Sequence, residues 1–207
     1  MAKVLERIDL RKQLKTLYGA SDTPSVVDVP PLNYLMADGR GDPNTSADYA
    51  AAVAALYSVS FTLKFGFKRG PERIDYSVMP LEGLWWADDP RSFASGDKSN
   101  WYWTAMILQP DFIARARVDE AVAAAAEKRP NEMLARLRFG QFKEGRAAQL
   151  LHVGPYSAEA PNIVRLHAFI ASQGGKLAGR HHEIYLSDPR RVAPEKLKTI
   201  IRQPFEV

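Results

Sequence analysis

The sequence predicts an α+β fold: two pseudo-symmetric strand–helix–strand–strand units that form an antiparallel sheet with helices on one face and a central ligand cleft. Three observations carry that expectation. Residues 46 to 63 repeat apolar positions at helical steps, while the flanking segments are short, β-branched or aromatic runs punctuated by proline and glycine. The order of elements then recurs: Asn33-Tyr-Leu-Met-Ala-Asp-Gly, a helix and a strand pair match Gln149-Leu-Leu-His-Val-Gly, a helix and two strands. Each copy places a glycine, Gly39 or Gly154, where the strand hands over to the loop before its helix, a place where positive φ is often needed.

In chain order, Asp9 caps a short helix with Leu10, Leu14 and Leu17 at helical spacing. Ser25 to Val29 reads as a strand ended by Pro30 and Pro31, and Asn33 to Asp38 as another, followed by a loop from Gly39. Ser46 opens the long helix, whose apolar face holds Tyr49, Val53, Leu56, Ser60 and Leu63. Two strands follow, Ile74 to Met79 and Leu84 to Ala87, joined at Pro80; Asp88 to Asn100 is polar and reads as a mobile loop. Trp101 to Leu108 is an aromatic strand. An alanine-rich helix runs from Pro110-Asp111 to about Lys128, where Pro130 stops it. Leu137 to Phe142 and Ala147 to Val153 read as a strand pair turning at Lys143 to Arg146. Glu159 to Ser172 is a helix with Ile163, Leu166 and Ile170 on one face, closed by Gly174-Gly175. Strands Arg180 to Ser187 and Thr199 to Phe205 complete the chain. The organisation expected is a single domain over 1–207, with an N-terminal helical extension (1–23), a first half (24–100) and a second half (101–207).

At 207 residues, with 46% hydrophobic and 25% charged side chains, the composition is that of a globular protein with a sizeable core. There are no cysteines, which excludes disulfides and thiolate metal sites and fits a reducing, cytoplasmic setting. No apolar run of about 18 residues occurs, so neither a membrane span nor a signal peptide is expected. The net charge of +4 comes from 28 basic and 24 acidic residues, scattered and interleaved, without the clustered stripe that nucleic-acid binding requires. No nucleotide, serine-hydrolase or dinucleotide fingerprint is present, and no cofactor is expected. Adjacent His181 and His182 point to opposite faces of a strand, so they cannot share one metal ion, and no metal site is expected.

The same parity puts His181, Glu183 and Tyr185 on one face of their strand and His182, Ile184 and Leu186 on the other. The strand alone favours a solvent-facing Glu183. All four tryptophans lie between positions 85 and 103. Trp101 and Trp103 share a face, whereas Trp85 and Trp86 face opposite sides; such rings offer stacking and cation–π contact to flat or cationic ligands, and the 88–100 loop would be a lid over them. Tyr156, after Gly154-Pro155, is placed to pack as a lid or donate to a ligand oxygen. Tyr34 and Tyr76 are further candidates from the first half, and His152 reads as a structural residue bonding backbone at the turn.

Tyr76-Ser-Val-Met-Pro-Leu-Glu-Gly-Leu-Trp-Trp, Leu151-His-Val-Gly-Pro-Tyr-Ser-Ala-Glu, His181-His-Glu-Ile-Tyr-Leu-Ser-Asp-Pro and Lys198-Thr-Ile-Ile-Arg-Gln-Pro resemble the GyrI-like family over about residues 24 to 207. That family supplies the effector-binding domains of BmrR-type multidrug sensors and also occurs as stand-alone proteins. The resemblance implies an apolar, aromatic cavity between the halves holding a glutamate, matched here by Glu183, and so a buried Glu183 with a raised pKa. It implies binding of planar, lipophilic, even cationic small molecules, and sequestration of such xenobiotics is the main role expected from the sequence. The alternative it implies is a hydrolase opening the strained cyclopropane of DNA-alkylating compounds, with Glu183 handling water and Tyr156 or Tyr185 meeting the substrate oxygen. No helix-turn-helix precedes the resembling stretch, so direct DNA binding is not expected. A protein partner such as gyrase is a weaker expectation.

Overall fold

The structure, a computed structural model, describes residues 4–88 and 98–207. In chain order its elements are β1 (Glu6–Ile8), α1 (Leu10–Gln13), α2 (Lys15–Tyr18), β2 (Ser25–Val29), β3 (Leu32–Arg40), α3 (Ala47–Arg69), β4 (Ile74–Tyr76), β5 (Leu81–Trp86), β6 (Tyr102–Leu108), α4 (Arg115–Lys128), β7 (Arg138–Phe142), β8 (Gly145–Val153), α5 (Ala160–Ser172), β9 (Lys176–Leu177), β10 (His181–Tyr185) and β11 (Lys198–Glu206). This is an α+β fold in which antiparallel strand pairs predominate. It divides into two compact units of interleaved segments: Met1–Gln13, Leu32–Met79 and Ala87–Phe142 in unit one, and Leu14–Pro31, Pro80–Trp86 and Lys143–Val207 in unit two.

In unit one, β3 pairs antiparallel with both β6 and β7. The Ser46 hydroxyl accepts the Tyr49 amide at 3.1 Å and so caps α3 where the sequence placed its start. Ala52, Ala55, Leu56, Val59, Ser60, Leu63 and Phe67 form the buried face of α3, which packs on β3, β6 and α4. By length and composition alone α3 would cross a bilayer, but in unit one that apolar face is spent on the core. The strand read as Ile74 to Met79 stops at Tyr76 and pairs in parallel with β1, a strand the sequence did not announce. The alanine-rich helix begins at Arg115, because residues 109 to 112 turn first and Ile113 N–H bonds back to Pro110 O at 3.1 Å.

In unit two the strand order is β2-β8-β11-β10-β5, all antiparallel, with β9 added to the end of β11. Leu166 and Ile170 of α5 close on Ala148, Leu150, Ile201 and Phe205, giving a core on one face of this sheet. The hairpin expected between 137–142 and 147–153 does not form: β7 pairs with β3, and β8 with β2 and β11. The reason lies in the supposed turn, where Glu144 is drawn into the sheet interior rather than left in water.

Glu144 belongs to a buried charge cluster on the other face of β10. His182 Nδ1 donates to Glu144 Oε1 at 2.9 Å, and Nε2 donates to Glu82 Oε2 at 3.0 Å, so both ring nitrogens carry protons. Arg202 donates from Nη1 to Glu144 (3.1 Å), from Nε to Gln149 (3.0 Å) and from Nη2 to Leu17 O (2.6 Å). Tyr18 donates to Glu82 at 2.6 Å, and Gln149 donates to Thr16 O at 2.8 Å, so α2 plugs the cluster from the N-terminal side. Burial alone would discharge His182, but Glu144 and Glu82 outweigh it and raise its pKa to about 9. Burial would raise Glu144 as well, but His182 and Arg202 hold it at about 2.

The signs of these shifts define a stability window. The contribution of Glu144 is complete above its ordinary 4.5 and is lost as pH falls towards about 2. That of His182 is complete below its ordinary 6.5 and is lost as pH rises through about 9. Urea unfolding is therefore expected to give maximal stability between those two ordinary values, with an alkaline decline. His182→Ala, which takes the shared cation from two buried carboxylates, is expected to cost about 3–5 kcal/mol and to flatten the alkaline limb. An alkaline limb that survives the substitution would assign it to another group.

Candidate functional site

β10 runs through unit two between β11 and β5, and its burial alternates: His182 and Ile184 are fully enclosed, while His181, Glu183 and Tyr185 are half-buried on the opposite face. The pleat brings in the neighbours by register. Glu183 lies beside Gly83 of β5 and Ile201 of β11, and Tyr185 lies beside Leu81 and Thr199. Glu183 therefore shares a face with Ile201 and Leu150, the face that α5 packs against.

The Glu183 side chain retains 14% of its exposure and is held at both oxygens. Tyr185 O–H donates to Oε2 at 2.7 Å, and His181 Nε2 stands 3.2 Å from Oε1. The chain extends one residue further, because the indole N–H of Trp85 donates to the Tyr185 hydroxyl at 3.2 Å. Tyr156 meets the Tyr185 ring edge-on, with centroids 5.5 Å apart. The sequence-derived candidates Glu183, His181, Tyr185, Trp85 and Tyr156 thus form one connected group within unit two.

The turn that leads into Tyr156 is held by a local clamp. His152 Nε2 donates to Pro155 O at 3.2 Å, and Asn162 Nδ2 donates to His152 Nδ1 at 2.9 Å, which fixes the neutral tautomer protonated at Nε2. Gly154, at φ 143°, makes the turn into Pro155 and Tyr156. The backbone role read for His152 is the one the structure gives it.

The remaining candidates lie elsewhere. Trp86 faces away from Glu183, on the His182 side of β5, and carries the Arg180 guanidinium 3.5 Å above its ring. Trp103, Tyr34 and Tyr76 are packed into the interior of unit one, 0%, 1% and 3% exposed. Trp103 meets Tyr49 edge-on and lies over Gly39, where an added Cβ would stand 2.1 Å from the indole. Gly39 therefore serves close approach rather than positive φ. Tyr34 touches Phe142 and Tyr76 touches Phe112, and burial pushes the Tyr76 phenol pKa upward. Trp101, half-buried, has Lys98 5.0 Å above it. Residues 89–97 of the expected lid lie outside the described residues.

One residue near this group went unread in the sequence. His167 of α5 keeps its Nε2 buried without a hydrogen-bond partner among the described residues, and burial, reinforced by His181, lowers its pKa below 6.5. Its signal in the sequence is slight: a histidine next to Leu166 on a helix that also carries Asn162 and Arg165.

The family profile described as the GyrI-like small molecule binding domain matches residues 22–205. Three structures from Listeria innocua are similar along nearly the whole chain. A conserved protein is 38% identical, covers 96% of this chain and 100% of its own, and has a TM-score of 0.89. Two hydrolases are each 36% identical; one covers 97% and 100% with a TM-score of 0.87, and the other 96% and 100% with 0.84. The EcmrR C-terminal domain, 13% identical with a TM-score of 0.56 and covering 89% of this chain and 97% of its own, shares the fold. No curated protein matches the sequence. The two hydrolases overturn xenobiotic sequestration as the main role and favour the enzymatic alternative. With the matched profile spanning all but the ends of the chain, the protein belongs to the GyrI-like small-molecule-binding family.

Proposed function

We propose that the chain is a hydrolase that adds water to a strained, electrophilic cyclopropane conjugated to a carbonyl, as in DNA-alkylating compounds, with Glu183 as general base. The observation that carries this reading is the Glu183 carboxyl held between Tyr185 and His181 on a half-buried strand face. Full-length similarity to two hydrolases supports the reaction class. The strained-ring chemistry rests on the family resemblance and on the pairing of a fixed carboxylate with phenols.

In this scheme Glu183 takes a proton from water as the water oxygen bonds to the ring methylene. The strained C–C bond breaks, and its electron pair moves through the conjugated system to the carbonyl oxygen. Protonation of that oxygen completes the balance: substrate plus water gives a ring-opened alcohol. Tyr185 donates its proton to Glu183, and Tyr156, whose ring meets Tyr185 edge-on, takes the role of donor to the developing oxyanion in this scheme. The His152 clamp would keep that phenol in place while charge develops, avoiding reorganisation during the reaction.

A spirocyclopropyl cyclohexadienone, whose water adduct is a phenol bearing a 2-hydroxyethyl arm, is a direct probe. Isotopically labelled water is expected to appear in the new hydroxyl over many turnovers per protein. Glu183→Gln is expected to lower kcat/KM by about 10²–10⁴-fold. Stoichiometric capture without hydrated product, or full turnover by Glu183→Gln, sinks the reading. Tyr156→Phe is expected to lose about 10²-fold in kcat, and His152→Ala part of that loss, with KM moving less than kcat in both. A loss confined to KM would make Tyr156 a binding wall only.

A further inference from the structure

Gly83 is the direct cross-strand partner of Glu183, and its α-carbon is bare on the face where Glu183 stands. The space is taken by the indole of Trp85, two residues along the same strand. A Cβ added at Gly83 would lie 2.7 Å from Trp85 Nε1, 3.0 Å from Cε2 and 3.1 Å from Cζ2. Real side chains do not sit that close to a ring, so any substitution must push the indole away. Trp85 is 3% exposed, so the ring has little open space to move into. The atom nearest the added carbon is the nitrogen whose proton goes to Tyr185, and Tyr185 in turn donates to Glu183.

Resting on the hydrolase reading, we infer that Gly83 is a positioning residue: its missing side chain is the seat that lets Trp85 fold back across β5, hold the Tyr185 hydroxyl and so aim Tyr185 at Glu183. Trp85 is then a hydrogen-bond donor within the site rather than a stacking wall for the ligand. The indole N–H polarises the Tyr185 O–H, because a phenol that accepts a hydrogen bond becomes a stronger donor. Across the strand on its other side Glu183 lies beside Ile201, an apolar neighbour.

The test reads the seat apart from activity. Four indole N–H signals are expected in a nitrogen-labelled spectrum, and Trp85→Phe identifies the one from Trp85. In Gly83→Ala that signal is expected to move in the direction and by about the amount seen in Tyr185→Phe, where its acceptor is gone. An unmoved signal overturns the inference. With the spirocyclopropyl dienone, Gly83→Ala and Trp85→Phe are each expected to lose about 3- to 10-fold in kcat/KM, the worth of one hydrogen bond. The double variant should lose no more than either single one, because both remove the same contact. Additive losses, or a moved signal with unchanged kcat, overturn the positioning role. If Gly83→Ala does not fold, folding should return in a Trp85→Ala background, where the clash is absent; failure there overturns the seat. If the wild-type protein does not turn the probe over, the hydrolase reading fails, and the indole signal alone decides whether Gly83 seats Trp85.

Discussion

The arrangement of unit two depends on one buried ion: the His182 imidazolium, fixed by Glu144 on one nitrogen and Glu82 on the other. In a strand with a side-chain period of two, a slip of one residue would exchange the faces of β10. A slip would carry a charged ring out of reach of both carboxylates, leaving Glu144 with Arg202 alone and Glu82 with the Tyr18 hydroxyl alone, which is far worse than losing apolar contact. Hydrophobic residues could tolerate a shifted register with repacking, whereas a two-sided ionic contact cannot. Glu183 faces its Tyr185 and His181 neighbours because His182 faces the other way. The face with the candidate chemistry is thus set by a residue outside it.

The parity of β10 was readable in the sequence because alternation is a local property. The pattern His-His-Glu-Ile-Tyr has one solution for which side chains lie together, and Glu183, His181 and Tyr185 follow it. The start of α3 was readable for the same reason, since Ser46 supplies a cap next to its own helix. Pairings between distant segments were not. β4 beside β1, and β7 beside β3 rather than β8, are set by contacts no local period encodes. Glu144 misled most: beside Lys143 and Gly145 it has the sequence context of a turn, yet it is paired with His182 and Arg202 deep in the sheet. The tryptophans divided along the same line. Their clustering was visible, but the seat of Trp85 on Gly83 and of Trp103 on Gly39 needs the third dimension.

The candidate site is built almost entirely from short links within two adjoining strands. Trp85 and Tyr185 meet across a pair of neighbouring strands, and His181, Glu183 and Tyr185 share one. The exception is Tyr156, which arrives on a turn and therefore needs its own fastening in His152 and Asn162. A rigid carboxylate on a strand with a separately braced phenol suits a reaction in which charge moves between two ends of a substrate. The strand fixes the position at one end, and the turn, a loop element, is the end more open to change.

The plug formed by Thr16, Leu17 and Tyr18 lies just ahead of the segment that matches the family, yet it supplies partners to Gln149, Arg202 and Glu82. Four ionic groups and two helical carbonyls thereby become a single heritable block. No member of it can drift alone, because each exchange leaves a buried charge or donor without its counterpart. Divergence among proteins of this architecture should therefore be slow and concerted at positions 18, 82, 144, 182 and 202, while the rims of the same strands remain free to vary. A segment that family boundaries leave out would then record ancestry as faithfully as the residues inside them.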